Sequence, residues 1–256
     1  MKTKKRKPKV LFLDIFTDNP KLRKEVESSL YKGGSYAEHM RKVFGLSKTE
    51  WQTIDGSKNV FPKIFPKVDA MVIGGSAKDP VRGQNLLWMR STYSFIRKAI
   101  KLKIPILGIC GGLQFVVKAL GGEIIYNPKG REFGTITVNI KKPDLLLKGL
   151  GKKFTAQSNH QCIIGKLNFP AQILASSEMS AIQALAIGNN IRLVQFHPER
   201  RKQQTKIILK EEKLEHYNTT SKQKAYQKLL KSIKDTSKTD KLIVDNFLNY
   251  FVYPRL

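Results

Sequence analysis

Three apolar runs that lack polar alternation, at residues 10–15, 68–73 and 104–109, constrain the fold more than any other feature. Rich in Val, Ile and Leu, each reads as a strand buried on both faces, the pattern of strands inside a parallel sheet. Between the last two, residues 86–101 place Leu87, Tyr93, Ile96 and Ile100 on one helical stripe that Pro105 cannot continue. A strand, a helix and a second strand in that order form a crossover unit. After Cys110 the pattern predicts a helix at 113–120 closed by Gly121 and Gly122, then short β-like runs at 123–126, 134–140, 161–164 and 172–176, and a final strand at 191–196.

With 256 residues, 41% of them hydrophobic, the chain is sized for one substantial α/β domain. We read residues 1–256 as that domain, with three dependent pieces. A basic tail covers 1–9. A Lys-rich insertion at 200–240 is partly helical, because Tyr226, Leu229, Leu230 and Ile233 recur at helical spacing. A closing helix at 242–251 presents Leu242, Ile243, Phe247, Leu248 and Phe251 to the core.

Lys and Arg number 47 against 20 acidic residues, a formal charge of +27 that attracts nucleic acid or other anionic surfaces. The excess is spread along the chain, though it thickens at 2–9 and 200–241, so a solvated surface is favoured over a nucleic-acid-binding stripe. Two cysteines and four histidines give neither a disulfide framework nor zinc spacing, and no metal or cofactor is expected. Residues 10–16 are too short to span a bilayer and are interrupted by Asp14, so the expectation is a cytoplasmic protein without a membrane segment.

Gly108-Ile109-Cys110-Gly111-Gly112 follows a buried strand and opens a helix, the context that a nucleophile elbow requires. The turn strains the backbone at Cys110 and leaves no room for flanking side chains. At a helix amino terminus the dipole and free N–H groups favour a thiolate over the thiol. A packed structural cysteine is the bland alternative. His197 and Glu199, after the last strand, lie two apart, so in extended chain both side chains project to one side and the carboxylate can orient the imidazole as a base. The N–H of Gly111 is a natural oxyanion donor. Gly74-Gly75, just past the second run, can supply another: taken alone the two glycines are better explained as an ordinary turn, but their place at the end of a neighbouring strand tips the balance. His39, His160 and His216 read as surface or loop residues, and Cys162 as a packed β residue.

These motifs together resemble the class I, or triad-type, glutamine amidotransferase family. Gly108-Ile109-Cys110-Gly111-Gly112-Leu113-Gln114 is similar to its G-I-C-x-G-x-Q elbow, and Ala119-Leu120-Gly121-Gly122 to the end of the helix that follows. Asn127, Pro128, Gly130, Glu132 and Gly134 fit its N-P-x-G-x-E-x-G stretch, and Gln195-Phe196-His197-Pro198-Glu199 its Q-F-H-P-E signature. The resemblance implies a flavodoxin-like, doubly wound, mostly parallel sheet with a small antiparallel β portion. It also implies hydrolysis of a γ-glutamyl amide through a thioester on Cys110, with Cys110, His197 and Glu199 as the triad. Gly75 and Gly111 would form the oxyanion hole. Gln114 and the loop of Ser158, Asn159, His160 and Gln161 would hold the glutamine's amino and carboxylate groups. The stretch from Gly74 to Asp79, with Leu87 and Trp88, looks nearest to the standalone, GMP-synthase-like amidotransferases and γ-glutamyl peptidases. Three departures stand out: Gly111 where a bulkier residue is frequent, Leu113 where His is frequent, and the insertion at 200–240.

Three readings follow. The first is a free-standing hydrolase of glutamine or another small γ-glutamyl compound. The second is a glutaminase subunit that supplies ammonia to a separate synthetase partner. The third is a basic binding module that keeps the scaffold without its chemistry, for which salt-dependent binding to DNA or RNA would speak.

Overall fold

The computed structural model describes residues 6–81, 86–211 and 220–256. Most of the basic start, His216 and the middle of the Lys-rich insertion lie outside the described residues. In chain order the strands are β1 (Val10–Asp14), β2 (Trp51–Asp55), β3 (Ala70–Ile73), β4 (Ile106–Ile109), β5 (Glu123–Tyr126), β6 (Glu132–Ile140), β7 (Lys153–His160), β8 (Cys162–Lys166), β9 (Gln172–Ser176), β10 (Ala184–Ile187) and β11 (Ile191–Val194). The helices are α1 (Pro20–Tyr31), α2 (Tyr36–Val43), α3 (Leu87–Lys101), α4 (Gly111–Ala119), α5 (Lys202–Glu211), α6 (Thr220–Ser232) and α7 (Ser237–Phe247), the last running on into a π-helical turn at Leu248–Val252.

Nine strands form one sheet in the order β2-β1-β3-β4-β11-β10-β9-β6-β7. The five from β2 to β11 pair in parallel, giving the 2-1-3-4-5 arrangement of a flavodoxin-like sheet with β11 as the fifth strand. The antiparallel strands extend this same sheet past β11, while β5 and β8 make a separate two-stranded ribbon.

Both faces are covered, as uninterrupted apolar strands demand. Val10 and Phe12 point into a core shared with Ile243, Phe247 and Phe251 from the end of the chain. Leu11 and Leu13, one residue out of phase, enter the opposite core against α3 and α4. A fully buried side chain such as Phe247 contributes about 1.5–3 kcal/mol. The closing helix starts at Ser237, several residues before its apolar stripe becomes readable.

Some predicted boundaries move for local reasons. β3 begins at Ala70 because Asp69 turns aside to bind Arg6 and the Lys9 N–H. β4 begins at Ile106 because Lys103 has φ 55° and the chain is still turning there. No helix among the described residues is long and apolar enough to cross a membrane.

Candidate active site

The carboxyl ends of β3, β4 and β11 lie side by side, with Ile73 opposite Gly108 and Ile109 opposite Val194. In an open α/β sheet this edge is where ligands bind. The residue after β4 is Cys110, whose φ of 52° and ψ of −103° form a conformation that non-glycine residues avoid. Its N–H bonds to the Val194 carbonyl at 2.8 Å, which pins the turn to β11. The turn also needs bare backbone, since a Cβ on Gly112 would fall 2.4 Å from the Ile73 carbonyl oxygen.

Helix α4 starts at Gly111, two residues before the predicted start, so Cys110 is its N-cap. The thiol is buried. Gln195 Nε2 donates to Sγ at 3.6 Å, and Sγ itself points at the Asn159 carbonyl oxygen at 3.8 Å.

His197 follows β11 and is tied by its N–H to the Gln157 carbonyl at 2.8 Å. Its Nδ1 lies 2.7 Å from Glu199 Oε1, and both side chains are buried. Burial and the positive charge of Arg200 oppose protonation of the ring, but the Glu199 carboxylate and the nearby Cys110 sulfur outweigh them and raise its pKa to about 9. Burial likewise opposes the charge on Glu199, yet His197 and Arg200 hold its carboxyl at about 2. The directions agree on an imidazolium–carboxylate pair. His197 Nε2 is buried and has no hydrogen-bond partner among the described residues.

Gly75 stands next to this pair, since a Cβ there would lie 3.4 Å from His197 Cε1. Its N–H donates to the Tyr36 hydroxyl at 2.9 Å, so this oxyanion-donor candidate already has a partner. Gly111 is pressed against the same loop: a Cβ at that position would meet the Ser76 nitrogen at 2.4 Å. Glycine in place of a bulkier residue here therefore matches a loop that descends onto the elbow.

His39, read from the sequence as a surface or loop residue, lies in helix α2 and is half-buried beside Glu199. Its Nε2 is 2.9 Å from the Glu199 carbonyl oxygen, and its ring stacks on Tyr31 at 4.7 Å, which stacks on Tyr36 at 5.7 Å.

The remaining expected residues divide. Ser158, Asn159 and His160 are not loop residues but the end of β7, and Gln161 is the single residue that turns into β8. Asn159 borders the cavity beside His197, and its side-chain oxygen accepts from Arg131 Nε at 2.9 Å. Ser158 donates to the Glu132 carbonyl. His160 is buried with Nε2 2.9 Å from Glu132 Oε2 and Nδ1 3.0 Å from the Cys162 carbonyl. Gln161 reaches Asp79 at 2.5 Å. Gln114 is buried behind the elbow, with Nε2 3.4 Å from the Cys162 carbonyl and 3.5 Å from Gln195 Oε1. The strand end thus sends one residue toward the triad candidates and the others into a separate polar cluster.

Tyr36, His39 and the side chain of Gln195 received no role from sequence reasoning. Gln195 carried a signal, its place in the signature, whereas nothing local marks Tyr36. No cluster of His, Cys, Asp and Glu suited to a metal occurs among the described residues.

Comparison with known proteins identifies the family. The family model described as Glutamine amidotransferase class-I matches residues 38–236. One of the subunits of the glutamine-hydrolyzing GMP synthase of Sulfolobus acidocaldarius is 33% identical over 171 residues, covering 66% of this chain and 87% of that protein. Gamma-glutamyl peptidase 3 of Arabidopsis thaliana is 29% identical over 181 residues, covering 66% of this chain and 71% of its own length. Among solved structures, a glutamine amidotransferase from Thermotoga maritima superposes with a TM-score of 0.72 at 20% identity, covering 96% of this chain and 99% of that one. The chain belongs to the class-I glutamine amidotransferase family.

Proposed function

We propose that the protein hydrolyses γ-glutamyl amide bonds, with Cys110 as nucleophile, His197 as acid and base, and Glu199 as the group that orients and charges the imidazole. The observation that carries this reading is the buried His197–Glu199 pair, whose free Nε2 neighbours a cysteine held at positive φ.

The sulfur, as a thiolate, attacks the γ-carbonyl carbon, forming a C–S bond and pushing the carbonyl electrons onto oxygen. The Gly111 N–H receives that oxyanion, joined by the Gly75 N–H once it exchanges the Tyr36 hydroxyl for the substrate oxygen. Collapse breaks the C–N bond as His197 Nε2 protonates the leaving amine. Water, deprotonated by the now neutral His197, attacks the thioester. Its oxygen bonds to carbon, the C–S bond breaks, and glutamate leaves with the thiolate–imidazolium pair restored.

A second reading keeps these steps and delivers the ammonia to a synthetase partner. It draws on the likeness to GMP synthase subunits, as the first draws on the gamma-glutamyl peptidases. A hydrolysis panel of glutamine, γ-glutamyl amines and γ-glutamyl peptides separates the two. Glutamate release by the isolated chain, lost in Cys110→Ala, supports the free-standing hydrolase. Release only on addition of a synthetase supports the second, and release that survives Cys110→Ala defeats both.

A further inference from the structure

A cavity of about 250 Å³ adjoins His197. Gly75, Asn159 and His197 belong to its lining, Leu22, Val26 and Tyr31 of α1 give it an apolar wall, and Ile208 comes from α5, the first helix of the Lys-rich insertion. Helix α5 is anchored there: Gln204 donates to the Leu30 carbonyl of α1, and Thr205 donates to Gln157 Oε1.

Arg200 also lines the cavity, and its Nη1 is buried without a hydrogen-bond partner. It forms no ion pair among the described residues. Glu211, the one carboxylate besides Glu199 in the lining, is exposed to solvent.

Resting on the hydrolase reading, we propose that this cavity is the leaving-group pocket, that it takes a single apolar or aromatic amino acid, and that Arg200 reads its α-carboxylate. The substrate class is then the γ-glutamyl derivatives of apolar amino acids.

Three observations converge on this. The group that leaves must sit where His197 delivers its proton, and the cavity is lined by His197 together with Gly75 and Asn159, the last with its carbonyl oxygen 3.8 Å from the Cys110 sulfur. Its volume falls just below the range of about 300–1,000 Å³ typical of pockets for drug-sized ligands, which suits one amino acid and not a long peptide. An α-carboxylate lies one carbon from the scissile nitrogen, so its receptor must stand close to the proton donor. Arg200 does, since it lines the same cavity as His197 and its charge acts on the imidazole. A guanidinium presents a planar fork that matches a carboxylate, and Arg200, partly exposed in this lining, has no ion pair among the described residues to compete for that anion.

The test compares γ-glutamylphenylalanine with γ-glutamylphenethylamine, which differ only in the carboxylate, with glutamine as reference. In the wild-type chain kcat/KM for the first exceeds that for the second by about tenfold or more, as a charge-assisted bidentate contact provides. Arg200→Met collapses the ratio to near one. Ile208→Trp, which fills the apolar side, lowers kcat/KM for γ-glutamylphenylalanine relative to glutamine.

Equal kcat/KM for the two compounds in the wild type, or a preference that survives Arg200→Met, overturns the pocket while glutamine turnover leaves the hydrolase reading intact. If no compound is hydrolysed, the hydrolase reading fails instead. Calorimetric binding of γ-glutamylphenylalanine to Cys110→Ala, with and without Arg200→Met, then decides the pocket. Arg200-dependent binding supports it, and absent or Arg200-independent binding overturns it.

Discussion

The Gly75 N–H donates to the Tyr36 hydroxyl, 2.9 Å away, although Gly75 stands beside His197. Any substrate oxygen that uses this donor must displace the tyrosine. A neutral hydrogen bond of this kind is worth about 0.5–1.5 kcal/mol. Tyr36→Phe removes the competitor and keeps the ring contacts with Phe12 and Tyr31. Acylation measured by single-turnover kinetics is expected to quicken by about two- to tenfold. A slower reaction would instead make Tyr36 a positioning residue for the Gly75 loop.

His197 owes its raised pKa to Glu199 and Cys110, against burial and Arg200. Glu199→Gln deletes the first of these supports while both opponents remain. The imidazole pKa, followed by NMR, is therefore expected to drop from about 9 to below its ordinary 6.5, and kcat to fall by about 10²–10⁴ with the fold retained. An unmoved titration would remove Glu199 from the account.

The contact of Gly111 with Ser76 yields a steric prediction. An alanine Cβ would overlap the Ser76 backbone nitrogen at 2.4 Å, and backbone cannot swing aside as a side chain does. Gly111→Ala is expected to cost about 1–3 kcal/mol in denaturant unfolding and to slow turnover by displacing the 74–76 loop. A variant as stable as the parent would show that this loop is free to move.

How much of this was readable beforehand depended on whether each contact is local. β1, β3 and β4 announced themselves because strands covered on both faces leave a continuous apolar run. β2 did not, since an edge strand with Gln52 and Thr53 exposed has no such run. Helix α1 has no fully buried residue and so a weak stripe, although Asn19 followed by Pro20 is a usable start signal, and Asn19 does cap it. β7 escaped notice because Gln157, Ser158 and His160 are buried through side-chain partners, which a hydropathy pattern cannot register. Cys110, His197 and Glu199 were visible because each sits within a few residues of a strand end. Tyr36 and Arg200 meet the candidate site across the fold, where only the packing of α1, α2 and α5 over the sheet edge gives them neighbours, whereas Gln195 reaches the Cys110 sulfur from within the signature itself.

The insertion also makes stability depend on pH. Asp240, buried at the start of α7, has its pKa raised to about 8, chiefly by burial and despite a hydrogen bond from Thr236 and the charge of Arg201, with Glu199 and Asp235 adding to the rise. The folded state thus keeps a proton that the unfolded chain releases near 3.8. Folding stability is therefore lost progressively as pH climbs from about 4 to about 8. Asp240→Asn cannot ionise in either state, so its Tm is expected to vary less over this window and to exceed that of the parent at the alkaline end. Identical slopes for parent and variant would refute this assignment.

Whether the Cys110 sulfur carries the γ-glutamyl group is decided by intact-protein mass spectrometry after acid quench during turnover of glutamine and γ-glutamylphenylalanine. A covalent adduct of one γ-glutamyl group that maps to Cys110 and is absent from Cys110→Ser is expected. Glutamate release with no adduct at any quench time, and with turnover retained by Cys110→Ser, would contradict it.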